Sequence, residues 1–171
     1  AGGDYIDKRG REYIQDIVES LIKDEGYFPI AKVPATGKKD EPSTVGHGYA
    51  GPEVVSGVTR MSRAEALANL REGIYTRLPN IRKKIPSFDK LPRNAQVELV
   101  NSWYRNSVRK SPNTIDRINE GNLTEAGKEY LRNKEYRLSM EPDSKFRGVA
   151  PRMRRLSDAL ISAGTEQEGL K

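Results

Sequence analysis

A chain of 171 residues with no cysteine cannot rely on disulfides, a thiol nucleophile or a zinc–thiolate site, yet it is long enough to bury one core, or a small two-lobed one, without staples. Its single histidine, His47, confines imidazole chemistry to one position and leaves a zinc site almost nothing but carboxylates, so no metal and no cofactor is expected. Thirty Lys and Arg against 24 Asp and Glu give a net charge of +6 and an isoelectric point near 9.5, which suits encounter with an anionic polymer such as nucleic acid, a membrane surface or a bacterial wall.

No apolar run approaches the roughly 20 residues of a membrane span. The opening Ala1-Gly2-Gly3-Asp4 lacks the apolar core of a signal peptide and, beginning without Met, leads us to expect a segment of a longer protein. Residues 1–4 and 165–171 are expected to be flexible ends. From Tyr13 to Lys23 the apolar residues Tyr13, Ile14, Ile17, Val18, Leu21 and Ile22 recur at helical spacing, and Gly26 is a stop that ends the helix at Glu25. Between Tyr27 and Tyr49 short apolar pieces alternate with Pro29, Pro34, Gly37, Pro42, Gly46 and Gly48, the pattern of a small irregular hairpin or three-stranded sheet. An acid held at a helix end, facing the Thr-bearing stretch Ser43-Thr44-Val45-Gly46-His47-Gly48 across a turn, is suited to presenting a proton to a glycosidic bond.

Ser62-Arg63-Ala64-Glu65 is a capping box opening a helix with Leu67, Leu70, Ile74 and Leu78 on one face, and Pro79 is the expected stop. A basic, Pro-bounded connector follows, from Asn80 to Pro92. Ala95, Leu99, Val100, Trp103 and Tyr104 then mark a deeply buried helix. Ser111-Pro112 starts a short helix through Ile115 and Ile118 that Gly121 closes, and Thr124 caps another through Ala126, Tyr130 and Leu131. A last helix is expected from Pro151, with Met153, Leu156, Leu160 and Ile161 inward and Gly164 as its stop.

Taken in order, Asp24-Glu25-Gly26, Thr44-Val45-Gly46-His47-Gly48, the Ser62-capped helix, Leu99 to Arg105, Ser111-Pro112-Asn113-Thr114, Ile118-Asn119-Glu120-Gly121, Ala126 to Tyr136 and Gly148-Val149-Ala150-Pro151-Arg152 resemble the phage lysozymes over residues 12–163. No single piece is specific; their joint order carries the resemblance. It implies an α+β, mainly α, two-lobed lysozyme-like fold in one catalytic domain, residues 5–164. Within it a small N-terminal β-hairpin lobe covers about 25–60, a connecting helix 62–78 and a helical C-terminal lobe 91–164. It also implies a muramidase, which cuts peptidoglycan between N-acetylmuramic acid and N-acetylglucosamine. The expected setting is a monomer that is virion-associated or released to the periplasm and cell wall.

On that resemblance Glu25 is the general acid, a carboxyl that desolvation in a crevice helps to keep its proton until the leaving oxygen needs it. Thr44 falls on the threonine whose hydroxyl holds the attacking water. The second carboxylate is where the sequence departs: counting forward from the acid reaches Pro34, counting back from the threonine reaches Lys38, and neither is a base. The interval has been rebuilt, and Asp40, with Glu41 behind it, is the nearest candidate. Arg152 matches an arginine that supports the acid, and Tyr49, Tyr104, Arg105 and Asn106 fall where the family binds its glycan.

Each residue also has a plainer reading: Glu25 a solvated helix-end carboxylate, Thr44 an ordinary strand residue, Arg152 a surface cation, Trp103 core, His47 a packed or strand-surface histidine. A Ser-His-Asp triad through His47 is disfavoured by the lack of a Gly-x-Ser-x-Gly elbow. The basic residues Arg77, Arg82, Lys83 and Lys84 suit contact with anionic wall polymer or a solvated face. Loss of the aspartate would be tolerated by a lytic transglycosylase giving 1,6-anhydro products. Two further alternatives are an inactive wall-binding domain and a nucleic-acid-binding helical module. The second is disfavoured because the basic residues are interleaved with acids instead of forming a one-sided stripe.

Overall fold

A computed structural model describes residues 8–32 and 42–170. Its described part is mainly helical, with one small antiparallel pair of strands, in agreement with an α+β, mainly α class. The chain divides into two compact units, residues 1–75 and 76–171.

In the first unit, helix α1 (Lys8–Glu25) buries Ile14, Ile17, Val18 and Leu21, the one-sided spacing that drives an amphipathic helix onto a core. It stops at Glu25 because Gly26 takes a left-handed φ of 73° while its N–H still bonds to the Ile22 carbonyl at 2.9 Å. Strands β1 (Phe28–Lys32) and β2 (Thr44–Gly46) pair antiparallel, Phe28 opposite Gly46 and Lys32 opposite Thr44, with an irregularity between. On the other edge of β1, Ala31 donates to Thr59 and accepts from Gly57, and Ile30 forms an isolated bridge with Arg60. The described sheet is thus a two-stranded hairpin with one further bridging segment.

Helix α2 (Arg63–Lys84) opens as expected, the Ser62 hydroxyl accepting from the Glu65 N–H at 3.1 Å. It does not stop at Pro79. A proline inside a helix costs about 3 kcal/mol, but this one lies on the exposed face. Continuing for another turn and a half buries Ile81 and Ile85 completely, worth about 1.5–3 kcal/mol each. The residues expected as a connector after Asn80 are therefore partly helix, followed by a 3₁₀ turn over Phe88–Lys90.

The second unit contains α3 (Arg93–Tyr104), α4 (Pro112–Asn119), α5 (Leu123–Tyr130), α6 (Lys134–Ser139) and α7 (Val149–Gly169). Helix α3 is the buried one, with Ala95, Leu99, Val100 and Trp103 inward. Helix α4 has Pro112 at its start and Ser111 before it. The Ser111 hydroxyl makes no cap bond; it donates to the Ser107 carbonyl and accepts from the Asn133 amide. Helix α5 begins at Leu123, so Thr124 sits inside its first turn and Asn122 precedes it.

Helix α7 starts two residues before Pro151 and runs through Gly164 to Gly169, covering part of the stretch expected as a flexible end. Gly164 serves close approach instead of termination: a Cβ there would lie 2.2 Å from Thr124 Oγ1 and 2.6 Å from its backbone nitrogen. At the same crossing a Cβ on Gly127 would lie 2.7 Å from the Ser157 carbonyl, and the Ser157 hydroxyl donates to the Gly127 carbonyl at 2.8 Å. Replacing Gly164 with Ala gains about 1 kcal/mol of helix propensity against an overpacking cost of about 1–3 kcal/mol. Thermal unfolding is expected to show a lower Tm for Gly164→Ala and no loss for Gly169→Ala, where nothing lies within 4 Å of the added methyl.

Candidate active site

Glu25 is the last residue of α1, so its side chain leaves the helix beside the left-handed Gly26. The loop after β2 comes to meet it. Val45 and Tyr49 exchange two backbone hydrogen bonds of 2.9 Å, closing a three-residue turn over Gly46, His47 and Gly48. Gly48 has φ 84°, and a Cβ built on it would stand 3.2 Å from Glu25 Oε2. The carboxylate thus lies over the bare Cα of that glycine, whose backbone conformation strains a side chain and whose neighbour would have to give way to one.

His47 holds the two pieces together. Its ring is buried, and its Nδ1 donates to the Gly26 carbonyl at 2.5 Å. A carbonyl can only accept, so Nδ1 carries a proton. The same ring faces Tyr27 at a centroid distance of 5.6 Å and a tilt of 53°. Tyr27 in turn donates its hydroxyl to the Met61 carbonyl at 2.7 Å and carries the Arg63 guanidinium 4.4 Å over its ring. The two residues that follow the acid are therefore anchored to the hairpin and to the start of α2. Sequence reading left His47 as packed or on a strand surface, and the structure buries it; it gave Tyr27 and Gly48 no role at the acid. The signal was the pair of glycines flanking His47, together with an aromatic directly after Glu-Gly.

Of the other expected site residues in this unit, Thr44 begins β2 opposite Lys32, on the strand that leads into the turn beneath Glu25. Tyr49 closes that turn, and its hydroxyl donates in a short hydrogen bond to Glu53. That bond holds the phenol proton more tightly than usual and lowers the Glu53 carboxyl. Asp40 and Glu41 lie outside the described residues. Among the described residues no cluster of His, Asp and Glu forms a metal cage.

The remaining expected residues belong to the second unit. Arg152 donates from Nη2 to Asn101 Oδ1 at 3.0 Å. Tyr104 carries the Arg77 guanidinium 4.4 Å over its ring. Asn106, with a left-handed φ of 62°, accepts from Arg109 at 3.2 Å. Arg105, read as a glycan ligand, directs both terminal nitrogens at Glu135, each at 3.2 Å, in a bidentate pair that leaves its side chain 12% exposed. Glu135 also accepts from the Ser107 hydroxyl at 2.7 Å, and Ser107 and Ser102 both bond to the buried Tyr130 hydroxyl, at 2.5 and 2.8 Å. Arg105 is part of a polar network that joins α3, α5 and α6. Trp103 is core, 4% exposed.

Compared with known protein families and with characterised proteins, the sequence matches none.

Two expected outcomes test this geometry. Gly48→Ala and Gly57→Ala both force a left-handed alanine, at about 1–3 kcal/mol each, but Gly57 has open space around it and Gly48 has Glu25. Denaturant unfolding is expected to show the larger loss for Gly48→Ala, and equal losses would contradict the contact with the acid. In the second unit, burial first and foremost pushes the Tyr130 phenol above its ordinary value. As pH climbs past that ordinary value the unfolded chain loses this proton while the folded chain keeps it, so stability falls with rising pH. Urea unfolding across the alkaline range is expected to show a shallower decline in Tyr130→Phe than in the unmodified chain.

Proposed function

We propose that the chain is a lysozyme-type glycosidase that cleaves the β-1,4 bond between N-acetylmuramic acid and N-acetylglucosamine of bacterial peptidoglycan, with Glu25 as general acid. The observation that carries this reading is the placement of the Glu25 carboxylate at the end of α1, over the bare Gly48 of the hairpin turn, with Gly26 fastened to His47. A proton donor is useful only if its direction is set before substrate arrives, and here the backbone on either side of the carboxylate is held. The mainly helical fold with one small hairpin, and the order of motifs along the chain, agree with the phage lysozyme resemblance.

In the proposed reaction Glu25 gives its proton to the glycosidic oxygen as the bond to the anomeric carbon breaks. A water placed by the Thr44 hydroxyl adds to that carbon from the opposite face. Its surplus proton passes to a second carboxylate, for which Asp40 is the candidate. Inversion of this kind needs the two carboxyls about 6.5–9.5 Å apart. No cofactor takes part. The setting proposed is the bacterial wall, reached either from a virion or from the periplasm, and among the described residues no helix is long and apolar enough to cross a membrane.

One sequence observation favours a second course. Pro34 and Lys38 stand where the resemblance sets the second carboxylate. A lytic transglycosylase needs none: the 6-hydroxyl of the muramic acid attacks its own anomeric carbon, and the hydroxyl proton passes to the Glu25 carboxylate that has just protonated the leaving oxygen.

Glu25→Gln keeps the shape and removes the proton, so clearing of a suspension of permeabilised cells is expected to slow by about 10²–10⁴-fold with an unchanged unfolding midpoint. Undiminished clearing by the variant would remove Glu25 from the chemistry. Mass analysis of the released muropeptides separates the two courses: reducing ends mark water as the nucleophile, and 1,6-anhydro ends mark the sugar hydroxyl and exclude Asp40 from the reaction.

A further inference from the structure

The second unit holds a groove of about 720 Å³ whose lining includes Asn106, expected from sequence to bind glycan, but none of the groups assigned to bond cleavage. One wall is the last turns of α2, with Asn80, Lys83 and Lys84; the other is the turn before α4 and α4 itself, with Arg109, Asp116 and Asn119; Trp103 forms part of the lining between them. Among the described residues neither Lys83 nor Lys84 is paired with an acid. Arg82, on the same turn, is the contrast, bonding to Asp89 at 3.1 Å. Asn119 uses its amide nitrogen on the Lys84 carbonyl, which ties the end of α2 to α4 and leaves the amide oxygen to accept.

We propose that this groove binds an anionic oligosaccharide chain, a site separate from glycosidic cleavage. The excess of cations selects a negatively charged ligand. Three features distinguish that ligand from other anions. The site is a concavity lined by the end of α2 and by α4, which a flat lipid sheet does not enter. The indole of Trp103 is almost wholly buried and Tyr104 has Arg77 over its ring, so no open aromatic face is offered to a nucleobase. The Asp116 carboxylate and the Asn80 and Asn119 amides, all in the lining, accept hydrogen bonds from hydroxyl groups, which suits a hydroxyl-rich ligand. Widely spaced acidic groups on a hydroxyl-rich chain match all three.

Trp103 is the only tryptophan of the chain, so its emission reports directly from the groove. Titration of the full chain with a galacturonic acid hexamer at low ionic strength is expected to give a saturable change in that emission, with maltohexaose giving none. Lys83→Gln/Lys84→Gln is expected to raise the dissociation constant about tenfold or more, and Lys83→Arg/Lys84→Arg to preserve it. Glu25→Gln is expected to bind as the unmodified chain does, so that failure of the groove and failure of the glycosidase reading are told apart. The proposal is overturned by any of four results: no binding of the hexamer by equilibrium dialysis, equal affinity for the neutral sugar, an affinity indifferent to the glutamine pair, or tighter binding of an oligothymidylate at the same site.

Discussion

The hydrogen bond from His47 Nδ1 to the Gly26 carbonyl is the constraint on which the first unit turns. A helix end is ordinarily the loosest part of a helix, because its last carbonyls have no partner within it. Here the carbonyl one residue past the end is met by a buried imidazole, and the backbone that carries Glu25 becomes continuous with the hairpin. Tyr27 extends the same fastening through its hydroxyl bond to Met61 and its ring contacts with His47 and Arg63. Gly48, left-handed and without a side chain, then lets the carboxylate approach its Cα closely. Chain reversal, histidine burial and placement of the acid are one arrangement viewed from three sides.

The second unit is held by different means. Its helices approach through glycine: Gly127 and Gly164 remove the side chains that would keep α5 and α7 apart, and the Ser157 hydroxyl fills the space with a bond to a helical carbonyl. Between α3, α5 and α6 several buried polar groups bond to one another. The Tyr130 hydroxyl lies between Ser102 and Ser107, and Ser107 passes the chain of bonds to Glu135 and Arg105. Such a network is strong only when complete, since an unmade bond to a buried hydroxyl costs about 1–3 kcal/mol. Arg105 is therefore better understood through Glu135 than through a ligand, whereas Lys83 and Lys84 at the groove have no acid partner among the described residues.

Much was legible in the chain alone. The stripe from Ile14 to Leu21, the end of the helix at Gly26, the Ser62 cap and the burial of Leu99, Val100 and Trp103 all follow from spacing and from local hydrogen-bonding options, which neighbours in sequence settle between themselves. The errors share a cause. Pro79 and Gly164 are stops by local rule, and both are overridden by what lies across from them: the buried Ile81 and Ile85 in one case, Thr124 pressed against the helix in the other. Thr124 was mistaken for a cap for the same reason, since its place is at that crossing.

By itself the sequence determined a mainly helical chain with a glycine-rich hairpin, an acid at a helix terminus, and freedom from thiol chemistry, because periodicity, turn residues and composition are properties of short stretches. Only the tertiary structure decided that the acid lies over Gly48, that His47 fastens Gly26, that Arg105 faces Glu135, and that scattered lysines and amides border one groove. Those are contacts between residues far apart in the chain. Their energies depend on distance and burial in the folded state, and no local pattern encodes either.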